Sequence, residues 1–105
     1  MSSKESKKQE KKIANDLHGG RVQIASGALP WWKNDVQSEE FLVEAKYTEN
    51  KSYSLKRVDF EKLNLEAVKL DKIPVMVIEL KPGLTMAVLR YEDFLAYDEM
   101  LSEMT

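Results

Sequence analysis

The chain has 105 residues, of which 43% are hydrophobic and 32% are charged. This balance is typical of a folded protein and argues against a wholly disordered chain. The sequence contains no cysteine, which excludes disulfide bonds and thiolate-bound metals. No apolar run approaches the roughly 20 residues of a membrane-spanning helix, and the lysine-rich start lacks the apolar region of a signal peptide. We therefore expect a cytoplasmic protein with no membrane partner.

A chain of this length fits one domain, and we expect residues 1–105 to form it, with residues 1–5 as a flexible tail. Because a domain this small buries only a modest fraction of its surface, its stability is limited as well. We expect the chain to gain hydrophobic core by forming a homodimer.

Charge is distributed unevenly along the chain, although the net charge is only −2. Residues 1–33 carry seven Lys or Arg and three Asp or Glu, a net charge of +4, whereas residues 34–105 carry a net charge of −6. A basic segment can contact the phosphate backbone of a nucleic acid. A basic tail and an acidic helix that are merely solvated would give the same pattern, so charge alone leaves both interpretations open.

Hydrophobic periodicity divides the chain into helices and strands. The first helix is predicted over residues 6–17, because Gly19 and Gly20 follow it as a C-terminal stop. Period-two alternation or continuous apolar runs predict strands, and apolar residues on one face predict two further helices. The predicted strands cover residues 21–25, 41–48, 74–80 and 85–89, and the two later helices cover residues 59–70 and 92–104.

These elements predict an α/β fold. A further strand beside residues 41–48, at the position of Asp35, completes the order α-β-β-β-α-β-β-α. This order is typical of a central mixed β-sheet flanked by helices.

Asp35, Glu44 and Lys46 form a candidate metal site. Strand alternation within residues 41–48 places Glu44 and Lys46 on one face, and a neighbouring strand can bring Asp35 beside them. The two carboxylates, with the backbone carbonyl of Ala45 as a third ligand, suit Mg²⁺, for which Mn²⁺ can substitute. The metal and the Lys46 ammonium would together serve phosphodiester hydrolysis.

An ordinary ion pair is the competing interpretation of Glu44 and Lys46, because E-x-K triplets occur often by chance. The surroundings favour a functional role, since the neighbouring residues Phe41-Leu42-Val43 and Ala45 are apolar. Charges on an inner strand are costly to bury unless they are paired or coordinate something.

Several residues outside this triad are candidate phosphate contacts. Gly27, with Ser26, follows a predicted strand and would let the backbone approach a phosphate closely. Ser54 could bond a phosphate or cap the following helix. Trp31-Trp32 could stack on an unpaired base or pack in a core or dimer interface. The full set of candidate DNA-binding residues is Lys7, Lys8, Arg21, Ser26, Gly27, Lys33, Lys51 and Ser54.

The run from Gly20 to Leu80 resembles the Holliday-junction-resolvase-like nucleases of phages and archaea, which belong to the PD-(D/E)xK superfamily. The resemblance is carried by RVQIASGA, WKNDV, FLVEAKY and the KSYSL segment with its helix, at residues 21–28, 32–36, 41–47 and 51–55. The sequence departs from the family motif at Asn34, where a proline commonly precedes the aspartate. The resemblance implies a restriction-endonuclease-like core.

The resemblance also implies an activity. It implies a Mg²⁺-dependent homodimer that cuts branched DNA, such as a four-way junction, and leaves 5′-phosphate ends. The family uses a glutamate on its first helix as an extra metal ligand, and Glu10 occupies the matching position. The catalytic set would then be Glu10, Asp35, Glu44 and Lys46, acting in the host cytoplasm if the protein is phage-encoded.

Two other functions remain open on sequence alone. The chain could be a restriction, repair or packaging-associated nuclease that acts on duplex DNA or its ends. It could also be a non-catalytic DNA-binding subunit of the same fold. The intact set of Asp35, Glu44 and Lys46 counts against the non-catalytic alternative.

Overall fold

The computed structural model of the protein describes residues 4–23 and 36–104. The predicted order of helices and strands is confirmed. The elements are α1 (Lys4–Asp16), β1 (Arg21–Val22), β2 (Val36–Gln37), β3 (Phe41–Thr48), α2 (Arg57–Lys69), β4 (Ile73–Leu80), β5 (Leu84–Val88) and α3 (Tyr91–Glu103).

The described strands form one mixed five-stranded sheet in the order β1-β2-β3-β4-β5. β3 and β4 are parallel along their full length, from Phe41 opposite Ile73 to Thr48 opposite Leu80. The remaining neighbours are antiparallel. Parallel strands need a crossover connection, and α2 provides it. The predicted α/β fold with a central mixed sheet flanked by helices is therefore confirmed.

The sheet separates two hydrophobic clusters, because alternate residues of β3 point to opposite faces. Val43 packs on the first face with Ile13 and Ala14 of α1. Leu42 packs on the second face with Leu63 and Ala67 of α2. The first face is called the α1 face below, and the second is called the α2 face.

The turn after α1 depends on its two glycines. Gly19 has a φ of +66°, the left-handed conformation that commonly ends a helix. A Cβ atom on Gly20 would overlap the carbonyl oxygen of Ala14, so a side chain cannot be accommodated there without moving the helix end. The predicted C-terminal stop of the first helix is confirmed.

Two local predictions are wrong. Lys4 and Glu5, placed in a flexible tail on sequence grounds, form the first turn of α1, where the Glu5 carboxylate complements the helix dipole. Ser54 does not cap α2, because the helix begins at Arg57 and Lys56 occupies the N-cap position without a side-chain hydrogen bond. The end of the strand predicted over residues 21–25 lies outside the described residues.

α3 contributes no buried residue. Arg90 joins its start to α2, since its guanidinium donates to the carboxylate of Asp93 at 2.7 and 3.1 Å and to Asn64 Oδ1 at 3.1 Å. The ring of Tyr97 lies 6.2 Å from that of Phe41, measured between centroids. Within the described parts of the chain, no helix is long and apolar enough to cross a lipid bilayer.

A substitution at Leu42 tests the packing most directly, because its side chain has no exposed surface and belongs to the cluster on the α2 face. Leu42→Ala should lower the free energy of unfolding by about 2–5 kcal/mol, through lost burial and the remaining cavity. Urea unfolding measures this change. Leu65→Ala is the matched control, since Leu65 is 60% exposed, and its effect should stay within about 0.5 kcal/mol. Equal losses in the two variants would contradict this core.

Candidate functional site

Glu44 and Lys46 lie together on the α2 face of β3. The Lys46 Nζ atom is 3.7 Å from Glu44 Oε1, so the two side chains share one face, as alternation predicts. The Glu44 side chain is 18% exposed and that of Lys46 is 35% exposed. Both charged groups are partly sheltered and still reach solvent. This arrangement accommodates an ion pair and also a site open to a cation and a phosphate.

The pair lies on β3, which has β2 and β4 as its neighbours in the sheet. β3 is paired with β4 through Glu44 opposite Met76 and Lys46 opposite Ile78, and both β4 partners are buried. Leu42, two residues before Glu44, is fully buried on the same face. The α2 face of β3 therefore changes from apolar core to charge within two residues.

β2 approaches β3 immediately before this pair. Val36 lies opposite Val43, the residue before Glu44, and Gln37 lies opposite Leu42. Asp35, the residue before Val36, lies outside the described residues, so its predicted place beside Glu44 stays a prediction. Several other candidates also lie outside them: Ser26, Gly27, Trp31, Trp32 and Lys33.

Glu10 belongs to α1 and is half-buried. Its neighbour Gln9 is buried, and the Gln9 Nε2 amide donates to the backbone carbonyl of Lys46 at 2.9 Å. α1 packs on the α1 face, whereas the side chains of Glu44 and Lys46 are on the α2 face. The residue before Glu10 thus contacts β3 directly. The role of Glu10 as a metal ligand stays a prediction.

Ala45 has its side chain on the α1 face, packed against the cluster that contains Val43. The carbonyl of Phe41 accepts a hydrogen bond from the Ser38 backbone amide at 2.9 Å, so it points toward β2. Carbonyls of alternate strand residues point to the same side. The carbonyl of Ala45 is thus directed to the β2 side of the strand. A carbonyl that serves as the third ligand of the predicted metal site would have to point to this side.

Among the described residues, no group of three or more His, Cys, Asp or Glu side chains is close enough to hold a metal ion. Glu10 and Glu44 are among these described residues, whereas Asp35 is not. Within the described chain, Glu44 is therefore not part of an acidic cluster, and a metal site of the predicted kind needs the carboxylate of Asp35.

The described candidates for DNA contact are divided over three regions. Lys7 and Lys8 are exposed on α1, and Lys51 and Ser54 are exposed between β3 and α2. Arg21 already has a protein partner, since its Nη2 atom donates to Gln37 Oε1 at 2.8 Å. Lysine side chains in the first two regions could reach a phosphate, whereas the Arg21 guanidinium is held against the sheet.

Gln9 is a buried contact residue that the sequence pattern did not reveal. This residue occurs in a lysine-rich stretch, where a buried polar side chain is unexpected. Its spacing of four residues before Ile13 places it on the buried stripe of the helix, and that spacing is the signal that could have identified it. Its partner, a carbonyl 37 residues away, could not be found from local pattern.

An apolar groove of about 390 Å³ lies on the α1 face, between α1, β5 and α3. Its walls include Ile13, Leu17, Phe41 and Val77. Glu44 and Lys46 do not line it, because they lie on the other side of the sheet. The groove is therefore separate from the acid–lysine pair.

No protein-family model matches the sequence, and no curated protein matches it. Among solved structures, the fold is similar to that of Hjc from Archaeoglobus fulgidus, a Holliday junction resolvase from an archaeal hyperthermophile. The TM-score is 0.60 at 13% sequence identity, and the match covers 78% of this chain and 73% of Hjc. At this identity the similarity concerns the fold alone, so this chain shares the fold of Hjc.

Proposed function

We propose that this protein is a Mg²⁺-dependent endonuclease of the PD-(D/E)xK type that hydrolyses phosphodiester bonds in branched DNA. The observation that carries the proposal is the position of Glu44 and Lys46, 3.7 Å apart on an inner strand of a resolvase-like fold. An acid and a lysine on this strand are unnecessary for packing, because Leu42 and Met76 already fill the adjacent core.

Asp35 supplies the second carboxylate in this proposal. Its support comes from the register of β2 and β3, in which Val36 lies opposite Val43. One step further along an antiparallel pair places the preceding residue of β2 opposite Glu44, with both side chains on the same face. Because Asp35 is that preceding residue, continuation of the ladder would bring the two carboxylates together.

The donor set suits Mg²⁺. Carboxylate and carbonyl oxygens are the hard ligands that this ion prefers, and Asp35, Glu44 and the Ala45 carbonyl would provide three of them, with Glu10 as a further candidate. When bound, Mg²⁺ would neutralise charge on the scissile phosphate and make a coordinated water more acidic. Mn²⁺ has similar ligand preferences and should substitute.

Lys46 acts on the phosphate and on the attacking water. Its ammonium carries three donors on a flexible stem, and its side chain is 35% exposed, so it can reach a phosphate oxygen above the α2 face. The Glu44 carboxylate orients this ammonium by the ion pair. Hydrolysis that breaks the bond to the 3′-oxygen leaves 5′-phosphate and 3′-hydroxyl ends, as we propose here.

We propose branched DNA, with four-way junctions foremost, as the substrate of a homodimer. The fold similarity to a Holliday junction resolvase supports this choice of substrate. A junction has two strands to cut symmetrically, and a twofold-related pair of sites matches that symmetry. Lys7, Lys8, Lys51 and Ser54 are exposed and are the described residues that we propose to contact the DNA backbone.

The first prediction concerns the acid–lysine pair. Glu44→Gln, Lys46→Ala and Asp35→Asn should each lower Mg²⁺-dependent cleavage of a four-way junction by about 100-fold or more, since each removes a metal ligand or a stabilising charge. Single-turnover cleavage measures the effect, and DNA affinity without metal should be nearly unchanged.

Glu61→Gln is the matched control for these variants. The Glu61 side chain is 61% exposed and pairs with Arg57 on the outside of α2, so its loss should leave the cleavage rate unchanged. Native cleavage by Glu44→Gln would refute the proposed site.

The second prediction concerns the substrate. A four-way junction should be cut faster than linear duplex of the same sequence at equal Mg²⁺ and salt. The reason is that the two symmetry-related sites of a dimer match the two strands that are cut in a junction. A matched pair of substrates in one gel assay measures the ratio. Equal rates would favour a duplex or end nuclease of the same fold, and binding without any Mg²⁺-dependent hydrolysis would favour a non-catalytic subunit.

A further inference from the structure

The described part of β2 is buried. It consists of Val36 and Gln37, and both residues, with Ser38 after them, are shielded from solvent. Because Gln37 and Ser38 are polar, their buried groups need hydrogen-bond partners.

Gln37 holds β2 to β1. Its side-chain oxygen Oε1 accepts two hydrogen bonds, from Arg21 Nη2 at 2.8 Å and from Gln23 Nε2 at 2.6 Å. Arg21 is also the backbone partner of Gln37 in the ladder. Gln37 is only 7% exposed, and burying an amide is costly unless it is hydrogen-bonded. The two donors therefore make this buried position tolerable only while β1 and β2 stay in register.

Ser38, the residue after Gln37, joins the same end of β2 to β3 and β4. Its backbone amide donates to the Phe41 carbonyl at 2.9 Å, and its hydroxyl accepts from the Phe41 backbone amide at 3.1 Å. Its carbonyl accepts from Lys72 Nζ at 2.6 Å. Lys72 immediately precedes β4, so one buried serine connects the turn, β3 and the start of β4.

The electrostatics of Lys72 agree with this arrangement. Burial lowers the pKa of the Lys72 ammonium, the positive charge of Arg21 lowers it further, and Glu39 opposes the shift. Two cations thus lie near each other at the C-terminal end of β2, where Arg21 donates to the Gln37 side chain and Lys72 donates to the Ser38 carbonyl.

We propose that Gln37 and Ser38, with their donors Arg21, Gln23 and Lys72, form a polar clamp that positions β2 against the catalytic strand. The residues of the clamp are positioning residues. A slip of one residue in a strand sends every side chain to the opposite face, and the clamp prevents that slip at the point where Val36 meets Val43, beside Glu44. The inference rests on the proposed function, in which the chain before β2 supplies the second carboxylate.

Paired substitutions test the clamp. Gln37→Leu removes the acceptor at similar volume, and Lys72→Met removes the donor. Each should raise the Mg²⁺ concentration for half-maximal cleavage about tenfold or more, as supporting residues of metal sites do, and should speed hydrogen exchange at the Val36 amide. Gln37→Glu keeps the acceptor and Lys72→Arg keeps the donor, so both should restore values close to the wild type.

Leu63→Ala controls for a loss of stability alone. Leu63 is a buried residue of α2, and its cluster contains no residue of β2. This variant should therefore unfold more easily while its half-maximal Mg²⁺ concentration stays at the wild-type value. All variants are compared at a temperature where each is folded.

Hydrogen exchange separates the failure of this inference from the failure of the proposed function. Normal exchange at Val36 and a normal Mg²⁺ requirement in Gln37→Leu and Lys72→Met would overturn the clamp while leaving the nuclease proposal intact. Conservative variants as impaired as the disruptive ones would overturn it too. If the wild-type protein binds no Mg²⁺ in calorimetry and cuts no DNA, the proposed function fails, and faster exchange at Val36 in the two disruptive variants would still support the clamp.

Discussion

The alternation of side chains along β3 is the constraint on which the structure depends. One strand must fill a core on both faces and also present charge. Val43 faces the α1 cluster, Leu42 faces the α2 cluster, and Glu44 and Lys46 continue the face that Leu42 begins. Because the period is two, the acid cannot leave its face without carrying the apolar residues out of the core. Packing therefore fixes the direction in which the acid–lysine pair points.

The same constraint explains why the neighbouring segments are held by polar contacts. Gln9 secures α1 to the carbonyl of Lys46, and Gln37 and Ser38 secure β2 on its two sides. These side chains are buried and would be unfavourable there without their partners. Apolar burial between β3, β4 and α2 stabilises the sheet. Buried hydrogen bonds position the elements that surround the proposed site.

Much of the fold could be predicted because it follows from local pattern. The Gly19-Gly20 stop located the end of α1, and a run that is first apolar and then alternating located β3 at its observed bounds of Phe41–Thr48. The pairing of Glu44 with Lys46 followed from the same alternation. The long-range polar contacts could not be predicted, because the donors Arg21, Gln23 and Lys72 lie 14 to 34 residues from their acceptors and no periodicity signals them. The place of Asp35 stays a prediction.

A crystal structure of the protein with Mg²⁺ and an uncleavable branched DNA tests the central claim most directly. The account predicts one octahedral ion on the α2 face, with a carboxylate oxygen of Asp35 and one of Glu44 each about 2.1 Å from it, and with Lys46 Nζ directed at the scissile phosphate. The contrary result is a separation of more than about 8 Å between the two carboxylates, or their placement on opposite faces of the sheet, since no single ion could then bind both.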